Sequence, residues 1–180
     1  AEFAKLGDVF VDDAFGSSHR DHASVCGIAR LLPSAAGRLM EKEIAAFRRV
    51  LVDPAQPFIA ILGGAKVSDK LKVVEHLLEK VDAILVGGGM AYTFLKARGN
   101  AVGKSLVQED QIALVQKAMM KAERMGIPIL LPEDHICATR FAQDAKPMVS
   151  GVDIDDAFLG LDIGPRTAAT YRRKILEAKT

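Results

Sequence analysis

Two lysines four residues apart, Lys66 and Lys70 in Gly63-Gly64-Ala65-Lys66-Val67-Ser68-Asp69-Lys70, stand where a helix disfavours positive charge. The preceding run PFIAIL reads as a buried strand. Val67, Leu71, Val74, Leu78 and Val81 then recur at helical spacing, which predicts a helix over 67–80. Gly63-Gly64 is therefore expected to be a strand-to-helix turn, with both lysines on one face of the first helical turn. There the macrodipole opposes each by about 0.3–1 kcal/mol, and Asp69 offsets part of that. An anion bound at the turn removes the conflict, because free N–H groups and two ammonium groups converging on one point suit a phosphate.

A second cluster, Gly87-Gly88-Gly89, ends the next apolar run, AILV at 83–86, with Met90, Phe94 and Leu95 behind it. Glycine at such turns lets a ligand approach the backbone closely. Neither cluster fits G-x-G-x-x-G or the Walker A pattern, which argues against an ordinary dinucleotide fold or a P-loop. Two glycine turns on adjacent strand ends, one carrying a lysine pair, predict a site for the phosphates and base of a nucleotide.

The opening segment Gly16-Ser17-Ser18-His19-Arg20-Asp21-His22 is too polar for a core. Arg20 is its most telling residue, since a guanidinium forks onto phosphate or carboxylate. Asp12, Asp13, His19 and His22 offer an alternative, a divalent-metal hydrolase set of irregular spacing. His76 is expected at the surface, and His135 and Cys137 receive no role.

The elements that must position these residues follow a βα rhythm. A short strand at 9–11 precedes the polar turn. A long helix is expected from Ser34 to Asp53-Pro54, with Met40, Ile44, Phe47 and Leu51 as its apolar stripe. Strand 57–62 with its helix, strand 83–86 with a helix near 89–98, and helix 107–125 leading to strand 127–131 come next. After Pro132 the sequence, with Pro147, Gly151 and its scattered aspartates, reads as a surface connection. Gly164-Pro165 opens a last helix whose buried stripe should be Ala168, Tyr171, Ile175 and Ala178. Uninterrupted apolar strands argue for a parallel sheet covered on both faces, a Rossmann-like doubly wound α/β arrangement. No strand follows the last helix and no Met starts the chain, so the sheet is expected to be incomplete and the sequence to belong to something longer.

With 24 Lys and Arg against 23 Asp and Glu in 180 residues, the chain has no global basic field, which excludes a nucleic-acid surface. Cys26 and Cys137 have no metal or redox spacing, and no apolar run is long enough to span a bilayer. A reducing cytoplasm, with small-molecule partners and no membrane, is the expected setting.

DVFVDDAFGSSHRDHAS, LPSAAGRLMEKEI, PFIAILGGAKVSDK, ILVGGGMAYTFLKA and FLGLDIGP, in this order and spacing, resemble the phosphoglycerate kinases over essentially the whole chain. The resemblance implies a two-lobed, monomeric glycolytic kinase. Such an enzyme moves a phosphoryl group between 1,3-bisphosphoglycerate and ADP, giving 3-phosphoglycerate and ATP, with Mg2+. It implies that residues 1–33 end the substrate-binding lobe, 34–54 form the interlobe helix, and 55–180 begin the nucleotide lobe. By matching position, Arg20 resembles the arginine that holds 3-phosphoglycerate and the transferring group. Lys66 resembles the lysine that follows that group, and Lys70 the one gripping nucleotide phosphates. Gly64, Ala65, Gly88, Gly89, Gly160 and Leu161 resemble the nucleotide wall, with Asp69 beside Lys70 or the metal.

The chain departs from the family pattern at Asp12 (for Asn), at Ser18 and Asp21 (in AHRAH) and at Arg38 (for an aromatic). The family's upstream basic cluster and its downstream phosphate loop are not in these 180 residues, which alone are expected to be inactive. A non-catalytic adenine-nucleotide-binding module is the alternative reading.

Overall fold

A computed structural model describes all 180 residues, which divide into two compact units, Ala1–Pro54 and Ala55–Thr180. In the first, β1 (Phe10–Asp12) pairs in parallel with β2 (Ser34–Ala36), Phe10 opposite Ser34 and Asp12 opposite Ala36. The long helix expected from Ser34 therefore begins later, as α1, Arg38–Leu51. Its start is set by a residue far away in sequence: Asp13 Oδ1 accepts the N–H groups of Leu39 (2.7 Å) and Met40 (2.9 Å), two donors that a helix start leaves without partners. Gly37 has an ordinary φ of −78°, yet a Cβ there would run into the Asp13 carboxylate. No residue of α1 is buried. Ile44 and Leu51 are exposed, and Phe47 sets its ring 5.9 Å from that of Phe15.

The second unit is built on the parallel sheet β3-β4-β5, comprising Ile59–Leu62, Ala83–Val86 and Ile129–Leu130. All four residues of β4 are buried, as its unbroken apolar sequence requires of a strand covered on both faces. The helices α2 (Leu71–Leu77), α3 (Met90–Ala97) and α4 (Ile112–Arg124) alternate with these strands. The result is an incomplete doubly wound α/β body. α2 is shorter than the predicted 67–80. No helix is long and apolar enough to cross a membrane.

The segment after Pro132 differs from the expected surface connection. It forms an antiparallel sheet, β7-β6-β8, from His135–Ala138 (β6), Met148–Ser150 (β7) and Leu159–Ile163 (β8). Strands of three to five residues, each interrupted or ended by a polar residue or glycine, leave little periodic signal. His135 and Cys137, which the sequence left unassigned, are fully buried on β6. The His135 ring lies 5.4 Å from that of Tyr92, and neither ring nitrogen has a hydrogen-bond partner.

Burial holds the His135 imidazole below its ordinary pKa. The Val152 carbonyl, close but outside hydrogen-bonding geometry, and the Asp134 carboxylate offset part of that. The unfolded chain thus takes up this proton first. Stability from the neutral ring is complete above about pH 6.5 and is lost as pH falls below it. His135→Leu is expected to raise stability by about 1 kcal/mol at pH 7 and to flatten the loss between pH 6.5 and 5, as read from urea midpoints across that range.

The last helix, α5, is Pro165–Glu177. Its buried positions are Thr167 and Tyr171, whereas Ala168 and Ile175 of the expected stripe are exposed. The Tyr171 hydroxyl reaches the carbonyls of Val86 (2.8 Å) and Leu130 (2.9 Å), pinning the helix to the carboxyl ends of β4 and β5.

Candidate functional site

Leu62 lies opposite Val86 in the sheet register, so β3 and β4 end at the same level and release their glycine turns side by side. Gly87 N–H bonds the Leu62 carbonyl (2.8 Å), and Met90 N–H, at the start of α3, bonds the Gly64 carbonyl (2.8 Å). The two turns pack on one another. Gly88 has φ +65°, and a Cβ there would stand 2.9 Å from the Gly64 nitrogen; one on Gly89 would stand 3.3 Å from the Ala65 Cα. Gly64, at φ +143°, faces open space. Three of these glycines were expected to admit a ligand. The structure gives Gly88 and Gly89 a packing reason and leaves Gly64 as the open approach.

The lysines do not share a helical turn. α2 begins at Leu71 with Lys70 as its N-terminal cap residue, and residues 65–70 form a non-helical turn closed by Lys70 and Leu71 N–H groups on the Val67 carbonyl (2.9 and 3.0 Å). The reason is a distant side chain: Gln108 Oε1 accepts from Val67 N–H (2.6 Å) and Ser68 N–H (3.1 Å), satisfying the turn in a non-helical form. A seven-residue α2 also has little macrodipole to offer. Lys66, Asp69 and Lys70 are exposed, and neither lysine is in an ion pair; Asp69 Oδ1 is 3.4 Å from Ser68 Oγ. What remains at this sheet end is two free ammonium groups next to an open glycine turn.

The strand β8 adds Gly160 and Leu161. A Cβ on Gly160 would overlap the Tyr92 ring on α3, and the Gly160 N–H donates to Ser105 Oγ (2.9 Å). Burial raises the Tyr92 phenol above its ordinary pKa, with Cys137 and Asp162 adding to the shift. A Cβ on Gly87 would lie 3.8 Å from Ile163 Cγ2, so the end of β8 adjoins the second glycine turn. Leu106, exposed and 3.4 Å from a Cβ built on Gly89, is an apolar surface at that turn. Leu106 carried no signal in the sequence, and Gln108 was expected inside the helix 107–125, whereas α4 begins only at Ile112 and the segment before it folds back onto the turns. A groove of ≈ 890 Å³ lined by Arg98, Gln116, Met119 and Ile127 sits at the amino end of β5, the wrong end of a parallel sheet for a ligand.

Arg20 belongs to the first unit, in the turn after Phe15–Ser17, where its N–H bonds the Ser17 carbonyl (3.0 Å) and its guanidinium is exposed. Asp21, its acidic neighbour, turns to Arg30 at 3.7 Å and leaves Arg20 unneutralised. Two of the departures from the family pattern touch: Ser18 Oγ is 3.2 Å from Asp12 Oδ2, whose partner oxygen accepts Ala14 N–H (3.0 Å). With Asp13 capping α1 and Asp12 holding this turn, the carboxylates of the hydrolase alternative have structural partners. No group of three or more His, Cys, Asp or Glu side chains is arranged to hold a metal ion.

Comparison with known proteins agrees with this architecture. The chain is 51% identical over 180 residues to phosphoglycerate kinase of Moorella thermoacetica and 50% identical over 181 residues to that of Thermus thermophilus, and spans 46% of the length of each. Its structure matches phosphoglycerate kinase from Coxiella burnetii with a TM-score of 0.92 at 40% identity, covering 99% of this chain and 46% of that one. The Pyrococcus horikoshii enzyme gives a TM-score of 0.82 at 31% identity, covering 98% of this chain and 45% of that one. The family profile for phosphoglycerate kinase matches residues 1–180, and the chain belongs to the phosphoglycerate kinase family.

Proposed function

We propose that this chain supplies the end of the substrate lobe, the interlobe helix and the first part of the nucleotide lobe of a phosphoglycerate kinase, and that the whole protein reversibly transfers a phosphoryl group between 1,3-bisphosphoglycerate and ADP. The observation that carries the reading is the pair of glycine turns at the carboxyl ends of β3 and β4, with Lys66 and Lys70 exposed and unpaired beside them. In this reading Lys70 grips the nucleotide phosphates and Lys66 the transferring group. Gly64, Ala65, Gly88, Gly89, Gly160 and Leu161 wall the nucleotide, and Arg20 of the first unit holds 3-phosphoglycerate. Phosphoryl transfer needs little covalent help from a protein and much neutralisation of the equatorial oxygens, which lysine and arginine side chains provide.

Mg2+ suits this donor set when it arrives with ATP or ADP. One exposed carboxylate, Asp69, stands beside the lysines, and a metal held mainly by phosphates and water requires no protein cage. Bound there, it would neutralise charge between the phosphates. The division into the end of the substrate lobe (1–33), an interlobe segment (34–54) whose helical part is Arg38–Leu51, and part of the nucleotide lobe (55–180) belongs to the same proposal, as do a cytoplasmic setting and a monomeric whole protein.

Lys70→Ala is expected to weaken MgADP binding about tenfold or more, as removal of a charge-assisted contact does, and to leave 3-phosphoglycerate binding within about twofold. Arg20→Ala should do the reverse. Titration calorimetry with each ligand, on protein of the length of its relatives, reads both. Equal losses of both ligands from either substitution would overturn the assignment. The 180 residues alone are expected to bind nucleotide weakly and to transfer no phosphate in a coupled assay.

A further inference from the structure

Gln108 holds together the two turns of the proposed nucleotide site without belonging to either. Its Oε1 accepts Val67 N–H (2.6 Å) and Ser68 N–H (3.1 Å), its Nε2 donates to Ser68 Oγ (3.1 Å), and its own N–H donates to Thr93 Oγ1 (3.1 Å). Ser68 lies midway between Lys66 and Lys70. Thr93, buried, is on α3, the helix that emerges from Gly87-Gly88-Gly89. One residue therefore fastens the lysine turn to the helix behind the glycine turn.

The turn has little else to fix it. Residues 65–70 precede α2, and what closes them on themselves is the pair of Lys70 and Leu71 N–H groups on the Val67 carbonyl and the 3.4 Å Ser68–Asp69 side-chain contact. Val67 itself is buried, so its amide cannot be satisfied by water where it stands. Without the Gln108 acceptor, the turn must move to find partners for two N–H groups, and Lys66 and Lys70 move with it. An amide also does what a carboxylate here would do less well: it satisfies both donors while setting no negative charge beside the lysines.

We propose that Gln108 is a positioning residue which, through Val67 and Ser68, fixes Lys66 and Lys70 relative to Gly88 and Gly89, so that one nucleotide meets its phosphate and base contacts together. The inference rests on the nucleotide reading above. It adds that the anion is met by the lysine side chains, because the Val67 and Ser68 N–H groups are already occupied.

The test follows amide exchange by NMR and MgADP titration on protein of the length of its relatives, in wild type, Gln108→Ala, Gln108→Met and Gln108→Glu. Ala removes the side chain, Met keeps its length without the acceptor, and Glu keeps the acceptor. Ala and Met should lose protection at Val67 and Ser68 and weaken MgADP about tenfold, the scale of one or two lost hydrogen bonds. Glu should restore the protection and bring affinity back to within about threefold of wild type, the remainder reflecting its charge beside the phosphates.

Unchanged MgADP affinity in Ala and Met despite lost protection would overturn the proposal, leaving Gln108 a structural cap. Tighter binding of MgADP or inorganic phosphate in Gln108→Ala would overturn it differently, by making Gln108 an obstruction to an anion site on the freed N–H groups. Loss of protection throughout β4 in both Ala and Met would make it a folding residue instead. If wild type shows the two protected amides but binds no MgADP, the nucleotide reading is what fails, and the role given to Gln108 falls with it.

Discussion

Asp134→Ala is expected to lower the stability of residues 55–180 by about 2–4 kcal/mol, a large share of the roughly 5–15 kcal/mol that holds a domain together. The carboxylate is 1% exposed and accepts Arg166 N–H (2.9 Å), Thr167 N–H (2.8 Å) and the Thr167 hydroxyl (2.6 Å). Thr167 reciprocates, its Oγ1 accepting the N–H groups of Glu133 (3.0 Å) and Asp134 (3.1 Å). Truncation strands this whole set at the buried start of α5, and relief from burying a charge returns only part of the loss. The exposed Arg166 guanidinium, 3.7 Å away, adds little.

Burial pushes the Asp134 carboxyl up in pKa, but hydrogen bonds from the Thr167 side chain and from the Thr167 and Arg166 N–H groups, with the Arg166 charge, outweigh it and hold the group below the usual carboxylate range. As pH falls, the unfolded chain takes up this proton first. The contribution is therefore complete above the ordinary carboxyl pKa of about 4 and is lost as pH drops through the folded value. Asp134→Asn should keep part of the cap and lose that acid dependence. Urea midpoints between pH 3 and 7 for wild type and both variants check this. A loss under about 1 kcal/mol in Asp134→Ala would show that α5 is held by its packing rather than its cap.

Gly160→Ala is expected to be nearly as severe, about 2–3 kcal/mol, because its methyl group would occupy the space of the Tyr92 ring and Tyr92 is 3% exposed on a helix whose first six residues are all buried. Relief requires β8 to withdraw from α3, which would break the Gly160 N–H bond to Ser105 and draw the end of β8, with Ile163, away from the second glycine turn. MgADP affinity should fall with stability. Combining it with Tyr92→Phe, which removes the hydroxyl oxygen from the overlap, should recover part of both. Thermal melts and MgADP titrations of the single and double variants read the effect. No coupling between the two substitutions would show that Tyr92 is not the obstacle.

Periodicity located the parallel sheet because β4 is apolar at every position and buried at every position. It misjudged wherever a partner from far along the chain decided the outcome. Val67 continues the apolar pattern of α2, yet Gln108, forty-one residues on, satisfies its amide in a non-helical turn. Ser34-Ala35-Ala36 favours a helix locally and is a strand because β1 lies beside it. In β6 the buried residues include His135, whose polarity conceals a core strand. The site was partly readable. Lysines and glycines announce themselves by type and spacing, but the packing of the two glycine turns, the closeness of Tyr92 to Gly160 and the role of Gln108 arise only once the strands are in register.

α1 and α5 share a device found in neither of their own sequences. Each opens on a glycine, Gly37 or Gly164, whose missing Cβ makes room for an aspartate carboxylate from a distant stretch of chain, Asp13 or Asp134. Neither helix has a capping side chain of its own, although Pro165 presets the first turn of α5, so a peptide cut to α1 or α5 alone begins without its cap and faces the nucleation barrier without that help. In the protein, the first turn of each helix becomes favourable when the loop bearing its aspartate arrives. Each helix start is thereby coupled to the loop that caps it, so displacing either aspartate frees the first turn of a helix whose sequence is untouched.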